Sequence, residues 1–372
     1  MRKTKKKLKV AVGMSGGVDS SVSACLLKEQ GYEVAGFFMK FWSDKSCPSK
    51  RENSCCNAEA IKSAQEVARE LNIPFYVVDV KKLFKATVVD DFVEEYKNLK
   101  TPNPCIKCNK FIKFGWFWEM AKSMKFDAVA TGHYCRIEKD KRGIFHLLAG
   151  EDSNKDQSYF LHRLDQSQLS RIIFPVGELN KSEVRKIAGK KKLNFADKKE
   201  SQEICFIADE DYREFLKRHL PRQYFKPGNI INLEKQIIGR HQGLINYTIG
   251  QRKGIEQLAV KNENRKPLYV VGFKKKTNEL LVGFDTDVYK KEMMLGSLSW
   301  ISEEAKGQAF KNSKLTVKIR YRHTAVPCSI EAVGKNKIKV VFNQPQRAVT
   351  PGQSAVFYRG KEVLGGGIIS ER

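Results

Sequence analysis

Apolar positions in the first third of the chain follow two alternating periods. LKVAVGM (8–14) is a β-branched run ending at glycine, and SSVSACLLKEQG (20–31) carries apolar residues at helical spacing up to Gly31. YEVAGFFMK (32–40) reads as a second strand. NAEAIKSAQEVARELN (57–72) reads as a helix with Asn57 placed to cap it. PFYVVDV (74–80) is a third strand, LFKATVVDDFVEEYKNLK (83–100) a further helix, and FDAVATGHY (126–134) a buried-type strand. This alternation predicts an α/β fold, a parallel sheet covered on both faces, with ligands beyond the carboxyl ends of its strands.

The pattern changes after about residue 208. KPGNIIN, KQIIGRHQGLINYTIGQRKGI and PLYVVGFKKKTNELLVGFD are short β segments broken by Gly, Pro and Asn. From LTVKIRYRHTAVPC onward, period-2 alternation and regular turns predict a second β unit, a barrel. The expected domains are residues 1–208, 209–292 and 293–372. No internal repeat or low-complexity linker is seen.

A length of 372 residues already favours several domains over one core. Charge adds more: 68 Lys and Arg against 42 Asp and Glu give a formal +26, a field that attracts polyanions. General lysine richness is the competing reading. No window approaches the roughly 20 apolar residues that span a bilayer. The basic start MRKTKKKLK runs straight into a strand, which leaves no room for a targeting peptide. The expectation is a cytoplasmic protein with no membrane partner. Its nine cysteines (25, 47, 55, 56, 105, 108, 135, 205, 328) are then thiols, and Cys25, Cys135 and Cys328 sit in apolar runs as inert core groups. Cys47, Cys55 and Cys56 invite a metal reading but lack matching histidines.

GMSGGVDSS (13–21) lies between the first strand and the first helix. A tight turn there converges backbone N–H groups with the positive helix end, making an anion cradle. Neither G-x-x-x-x-G-K-[ST] nor G-x-G-x-x-G is present. The S-G-G-x-D-S pattern resembles the pyrophosphatase loop of ATP-pyrophosphatases, the adenine nucleotide alpha hydrolase-like fold. That resemblance implies that Ser15, Gly16, Gly17, Asp19 and Ser20 hold pyrophosphate and Mg2+. It places Met39 against adenine, against the plain alternative of a core methionine. Adenylating a C2 carbonyl oxygen makes it a leaving group that a sulfur nucleophile can displace.

GMSGGVDSS, NPCIKCNKFIKF, ATGHYCR, DSNKDQSYFL, SQEICFI, HQGLINYTIGQRKG, RYRHTAVPC and TPGQSAVFYRGKEVLGGGII resemble, in order, blocks of the bacterial tRNA-specific 2-thiouridylases. The resemblance covers nearly the whole chain. It implies ATP-dependent 2-thiolation of the wobble uridine in Lys-, Glu- and Gln-type tRNAs, with sulfur from a cysteine desulfurase or a sulfur-carrier protein. Gly13, Met14, Ser15, Gly16, Gly17, Val18, Asp19, Ser20, Met39 and Gly132 would contact ATP. Cys108 matches the nucleophile, and Cys205 the persulfide carrier, with a transient disulfide between them. Asn103, Pro104 and Cys105 would border the target base. His133, Lys155, Asp156, Gln157, Arg320, Tyr321 and Gln353 would touch tRNA. Plainer readings compete: His133 as a buried structural histidine, Lys155–Gln157 as a helix-start turn, Arg320 and Tyr321 as a solvated barrel face. Phe206 and the aromatics of 113–118 read as core.

One position departs from the family. Many members carry Asp where this chain has Cys105, so D-x-x-C becomes C-x-x-C. Zinc would want a fourth ligand, and nothing else supports disulfide exchange. Cys105, Cys108 and Cys205 also resemble the three-cysteine sites of other tRNA thiolases, which hold a [4Fe–4S] cluster. Two routes stay open: a Cys205 persulfide resolved by Cys108, or a cluster delivering hydrosulfide. An ATP-pyrophosphatase ligating or amidating a small metabolite explains the loop but not the basic β-rich half. A non-catalytic RNA-binding protein explains the charge but not the cysteines.

Overall fold

The computed structural model describes residues 7–44, 58–191, 204–207, 211–255, 266–311, 314–334 and 336–371. Cys47, Cys55 and Cys56 lie outside the described residues. The first unit carries β1 (Lys9–Gly13), β2 (Glu33–Lys40), β3 (Phe75–Asp79), β4 (Ala128–Ala130), β5 (Cys135–Lys139), β6 (Phe145–Ala149) and β7 (Ile172–Ile173). Five of them form a parallel sheet in the order β3–β2–β1–β4–β7. Alternate residues of β1 face opposite layers, because strand side chains have a period of two. Val10 and Val12 pack with Val22 and Leu27 of α1 (Val18–Glu29), and with Ala64 and Val67 of α2 (Ala58–Glu70). Ala11 packs in the other layer with Phe84, Phe92, Ile112 and Phe117, from helical segments spanning 81–97 and 104–123. The sequence expectation of a sheet buried on both faces holds.

Both of those segments contain π-helical stretches, Lys85–Val89 and Cys108–Trp116. The hydrophobic spacing read simply as helix. Phe114, Phe117 and Trp118 are buried, and so is Phe206, which meets Phe84, Phe92 and Phe215 edge-on or tilted.

The middle unit is a four-stranded sheet of β8 (Gly228–Ile231), β9 (Ile237–His241), β10 (Tyr269–Lys274) and β11 (Glu279–Gly283), ordered β10–β11–β8–β9. Ile230, Val270, Leu280 and Val282 fill its core. The last unit contains β12 (Tyr289–Trp300), β13 (Thr316–Lys318), β14 (Val326–Ala332), β15 (Ile338–Arg347), β16 (Ser354–Arg359) and β17 (Glu362–Ser370). These pair antiparallel as β12–β15–β14–β13–β16–β17, and β17 returns to β12, closing the expected barrel.

The hairpin β5–β6, from the first unit, also joins the barrel sheet. Glu362 and Val363 of β17 pair with Leu148 and Leu147 of β6. The sequence reading did not anticipate this. Among the described residues no helix is long and apolar enough to cross a membrane.

Candidate active site

Beyond β1 the chain keeps its register for one residue, as Met14 donates its N–H to the Phe37 carbonyl (2.8 Å). It then turns at Gly16 (φ +72°), where a Cβ would lie 2.4 Å from the Ala60 carbonyl oxygen, so only glycine fits. Serines fasten the turn. The Ser20 hydroxyl accepts from the Ser15 N–H (3.1 Å) and donates to the Gly17 carbonyl (3.0 Å), to which Ser21 also donates (3.0 Å). The result is a loop presenting Gly13, Ser15, Asp19 and Ser20 to a cavity of about 200 Å³. Met39, Lys113, Gly132 and His133 help to line it, at the carboxyl ends of β1, β2 and β4. Gly132 backs directly onto α1: a Cβ there would sit 2.7 Å from the Asp19 carbonyl carbon.

Asp19 is held by two groups that spacing alone did not reveal. Lys181 donates its ammonium to both carboxylate oxygens (2.7 and 2.8 Å), and the Tyr134 hydroxyl donates to Oδ1 (2.7 Å). Lys181 is 7% exposed and its ammonium also lies over the Tyr134 ring. Three hydrogen bonds from these two groups leave the carboxylate about one open lone pair, on Oδ2. His133 is buried, its Nδ1 2.7 Å from the Thr131 hydroxyl, with Phe114 and Phe174 against its ring. Burial, reinforced by the Lys113 charge, holds its pKa well below the ordinary histidine value, so the ring is neutral. Gln157 exchanges bonds with Tyr134: its side-chain oxygen accepts the Tyr134 N–H and its own N–H meets the Tyr134 carbonyl, both at 3.1 Å. Asp156 is buried. It accepts from the N–H groups of Gly150 and Ser158 and from the Ser158 hydroxyl, with the Lys318 ammonium at 3.6 Å. It shapes the turn that Lys155 and Gln157 occupy.

The C-x-x-C of residues 105–108 lies at the start of a helix. The Asn103 side chain accepts the Cys105 N–H (3.2 Å) as N-cap, and Pro104 occupies the first turn. Cys108 follows at the start of the π stretch and is buried, while Cys105 and Cys205 are partly exposed. Burial of the Cys105 sulfur, followed by its neighbour Cys205, pushes that thiol up to about 11 against a smaller downward pull from Lys113. Cys105 is therefore protonated near neutral pH. Among the described residues no group of three or more His, Cys, Asp or Glu side chains is placed to hold a metal ion. The cluster ligand set Cys105, Cys108 and Cys205 finds no support here, since these three do not converge on one metal position. Cys25, Cys135 and Cys328 are buried, with burial raising each thiol, as expected of inert core groups.

Three family models match in succession: tRNA methyl transferase HUP domain over residues 8–209, tRNA methyl transferase PRC-barrel domain over 213–284, and aminomethyltransferase beta-barrel domain over 290–369. The chain is 46% identical over 366 residues to the tRNA-specific 2-thiouridylase MnmA of Carboxydothermus hydrogenoformans, covering 98% of both chains. It is 43% identical over 368 residues to that of Geobacter metallireducens, covering 98% of this chain and 97% of the relative. The chain belongs to the tRNA-specific 2-thiouridylase family.

Two further thiouridylase-type positions lie at a second, larger cavity of about 1170 Å³ where all three units meet. Arg320 and Gln353 line it, together with Arg213, Lys217, Lys253 and Arg347. Arg320 donates to the Arg347 carbonyl (3.1 Å), and Arg347 stacks its guanidinium on Tyr269. Tyr321 lies 4.4 Å, ring to ring, from Phe160. The Gln353 amide donates to the Thr101 carbonyl (2.7 Å) at the edge of this cavity. Lys181 and Arg213 went unnoticed in the sequence because they reach their sites from segments with no motif of their own, while Lys113 and Tyr134 lie within NPCIKCNKFIKF and ATGHYCR but had no role assigned there.

Proposed function

We propose that this chain is an ATP-dependent tRNA-uridine 2-sulfurtransferase acting on the wobble uridine of Lys-, Glu- and Gln-type tRNAs. The observation that carries the reading is the placement of Lys113. It lines the cavity of the pyrophosphatase loop and its charge also reaches the Cys105 thiol, so it links the adenylating cavity to the cysteine helix. The O2 oxygen of uridine attacks the α-phosphorus and pyrophosphate leaves into the cradle of Ser15 to Ser20. Asp19 would hold Mg2+ through its remaining Oδ2 lone pair, and the ion would supply charge neutralisation for the leaving pyrophosphate. Gly13, Met14, Val18, Met39 and Gly132 border the nucleotide, and neutral His133 stands beside it.

Sulfur then arrives as a persulfide on Cys205. Its terminal sulfur attacks C2 and AMP departs with the old oxygen. The Cys108 thiolate attacks the Cys205 sulfur, breaking the S–S bond and leaving 2-thiouridine. The resulting Cys108–Cys205 disulfide is reduced by an external thiol, and a donor protein reloads Cys205 with persulfide. The lack of a converging three-ligand group among the described residues favours this route over a cluster. Residues 1–208 form the catalytic domain. Residues 209–292 and 293–372 hold the tRNA around the larger cavity, with Asn103, Pro104 and Cys105 bordering the base and Lys155, Gln157, Arg320 and Tyr321 along the path. A uridine must leave its stack to expose C2, so it enters from that side. Such a substrate goes with a cytoplasmic location. A small-metabolite ligase or a passive RNA-binding protein leaves the cysteines without a task.

The test is product analysis with unmodified tRNA. AMP and pyrophosphate should form only when that tRNA is present, and Asp19→Ala should stop turnover while tRNA still binds. ADP as the main product would overturn the reading. Cys108→Ser and Cys205→Ser should each eliminate 2-thiouridine. Cys105→Asp should remain active in air with a persulfide donor. Activity that appears only after iron–sulfur reconstitution of anaerobically prepared protein would sink the persulfide route.

A further inference from the structure

Lys113 is a half-buried cation that nothing in the protein answers. Among the described residues no hydrogen bond or ion pair reaches its ammonium. It lines the loop cavity, where Asp19 is the only acid among the described residues and is already held by Lys181 and Tyr134. The Lys113 charge acts on His133 in the cavity wall and on Cys105 at the start of the cysteine helix. Both are neutral near pH 7, so neither offsets it. A half-desolvated charge with no partner costs stability, and it leaves the cavity with an unmet demand for an anion. The π stretch Cys108–Trp116 places this residue. In an α-helix, residues five apart stand about 140° apart around the axis, whereas bonding from i to i+5 brings residue 113 over residue 108. Gly115 leaves room for the wider turn: a Cβ there would lie 2.9 Å from the Lys110 carbonyl oxygen. Lys113 thus meets the cavity from the same element that carries Cys108.

We propose that Lys113 is a catalytic residue that binds the α-phosphate: its ammonium donates to the non-bridging α-oxygens while uridine O2 adds to phosphorus, and it stays with them as AMP leaves C2. The inference rests on the sulfurtransferase reading of the same site. The cradle of Ser15 to Ser20 takes the two outer phosphates, and the uridine comes from the cysteine side. A cation that lines the one and acts on the other stands where they join, at the α-phosphorus. There the O2–P bond forms as the P–O bond to pyrophosphate breaks. The electron pair leaves with pyrophosphate, and the N3 proton of the uridine passes to water. Charge spreads over the non-bridging oxygens in this step, and a fixed cation in a half-desolvated cavity stabilises it without reorganisation. When sulfur attacks, the C2–O bond breaks and its electron pair goes to AMP, whose phosphate Lys113 still holds.

AMP, adenosine and pyrophosphate are the probes, since each presents a different part of the nucleotide. In calorimetric titration Lys113→Met should weaken AMP binding by about tenfold or more, with adenosine and pyrophosphate within about twofold of wild type. Its Tm should stay level or rise, because the substitution removes an unpaired charge. Single-turnover pyrophosphate release with unmodified tRNA and no sulfur donor should slow by about a hundredfold or more, and Lys113→Arg should recover part of both losses. Unchanged AMP affinity would overturn the proposal. An equal loss of pyrophosphate affinity would assign Lys113 to the outer phosphates and overturn it too, and a Tm lowered by several degrees would make the lysine structural. A wild-type protein that makes no 2-thiouridine would instead refute the sulfurtransferase reading, and the AMP comparison would still decide the α-phosphate contact.

Discussion

Lys181 breaks a local rule for a reason that only the folded chain supplies. It stands in the first turn of the helix Lys181–Lys190, where the helix dipole disfavours a cation, and it is nearly buried. Asp19, 162 residues earlier, offsets both costs. The pair turns a loop that would repel phosphate into one that accepts it. Lys181→Met should lower stability by about 2 kcal/mol or more and weaken ATP binding, because it strands a partly buried carboxylate. Adding Asp19→Asn should restore much of the stability but none of the pyrophosphate release. Thermal unfolding and calorimetric titration with ATP would read both; additive losses in the double variant would contradict the pairing. The S-G-G-x-D-S loop was legible because its chemistry sits within nine residues. Lys181 was not, because nothing in its own helix pattern marks a lysine that leaves its surface.

Between the residue and the whole, the hairpin β5–β6 is the element that ties the catalytic unit to the barrel. Its pairing with β17 is reinforced by His146, whose Nδ1 lies 2.6 Å from Glu362, with Asp140 at 3.6 Å from Nε2. Arg142 bridges Asp140 and Glu304 of the barrel unit (2.8 and 2.7 Å). Partial burial opposes the charged imidazole, but Glu362 and then Asp140 hold its pKa above the ordinary value. A raised folded-state pKa stabilises fully below the unfolded value of about 6.5, and that contribution fades as pH climbs through the folded value. Melting temperature should therefore fall from pH 6 toward pH 8 by more in the wild type than in His146→Gln. Parallel curves would remove His146 from the clamp. The alternation of the first half was legible because each strand and helix carries its own period. The hairpin's membership of a barrel more than 200 residues away was not, since strand pairing leaves no mark in either partner's pattern. The π stretches were likewise hidden: a change from i+4 to i+5 bonding over nine residues barely alters the spacing of Cys108, Ile112 and Trp116.

At the scale of the molecule, the +26 charge and a junction lined by Arg213, Lys217, Lys253, Arg320 and Arg347 make a polyanion the natural occupant of the larger cavity. If six or more phosphates are contacted, tRNA affinity should drop about a thousandfold or more between roughly 50 and 200 mM salt. Filter binding across that range would measure it, and a flat response would exclude backbone contacts as the source of affinity. Paired substitutions at Lys217 and Lys253 should weaken all tRNAs alike and reduce the salt slope. The shared sheet has a further consequence for how the chain is made. The edge of β6 finds its partner only when Glu362 and Val363 leave the ribosome. At about 5–20 residues per second that is on the order of ten to forty seconds after the hairpin emerges. Throughout that interval a finished nucleotide-binding unit carries an unpaired strand edge, the kind of surface that joins neighbouring chains. β17 both closes the barrel and covers that edge, so a ribosome stalled before it releases a chain prone to association rather than merely one lacking a domain.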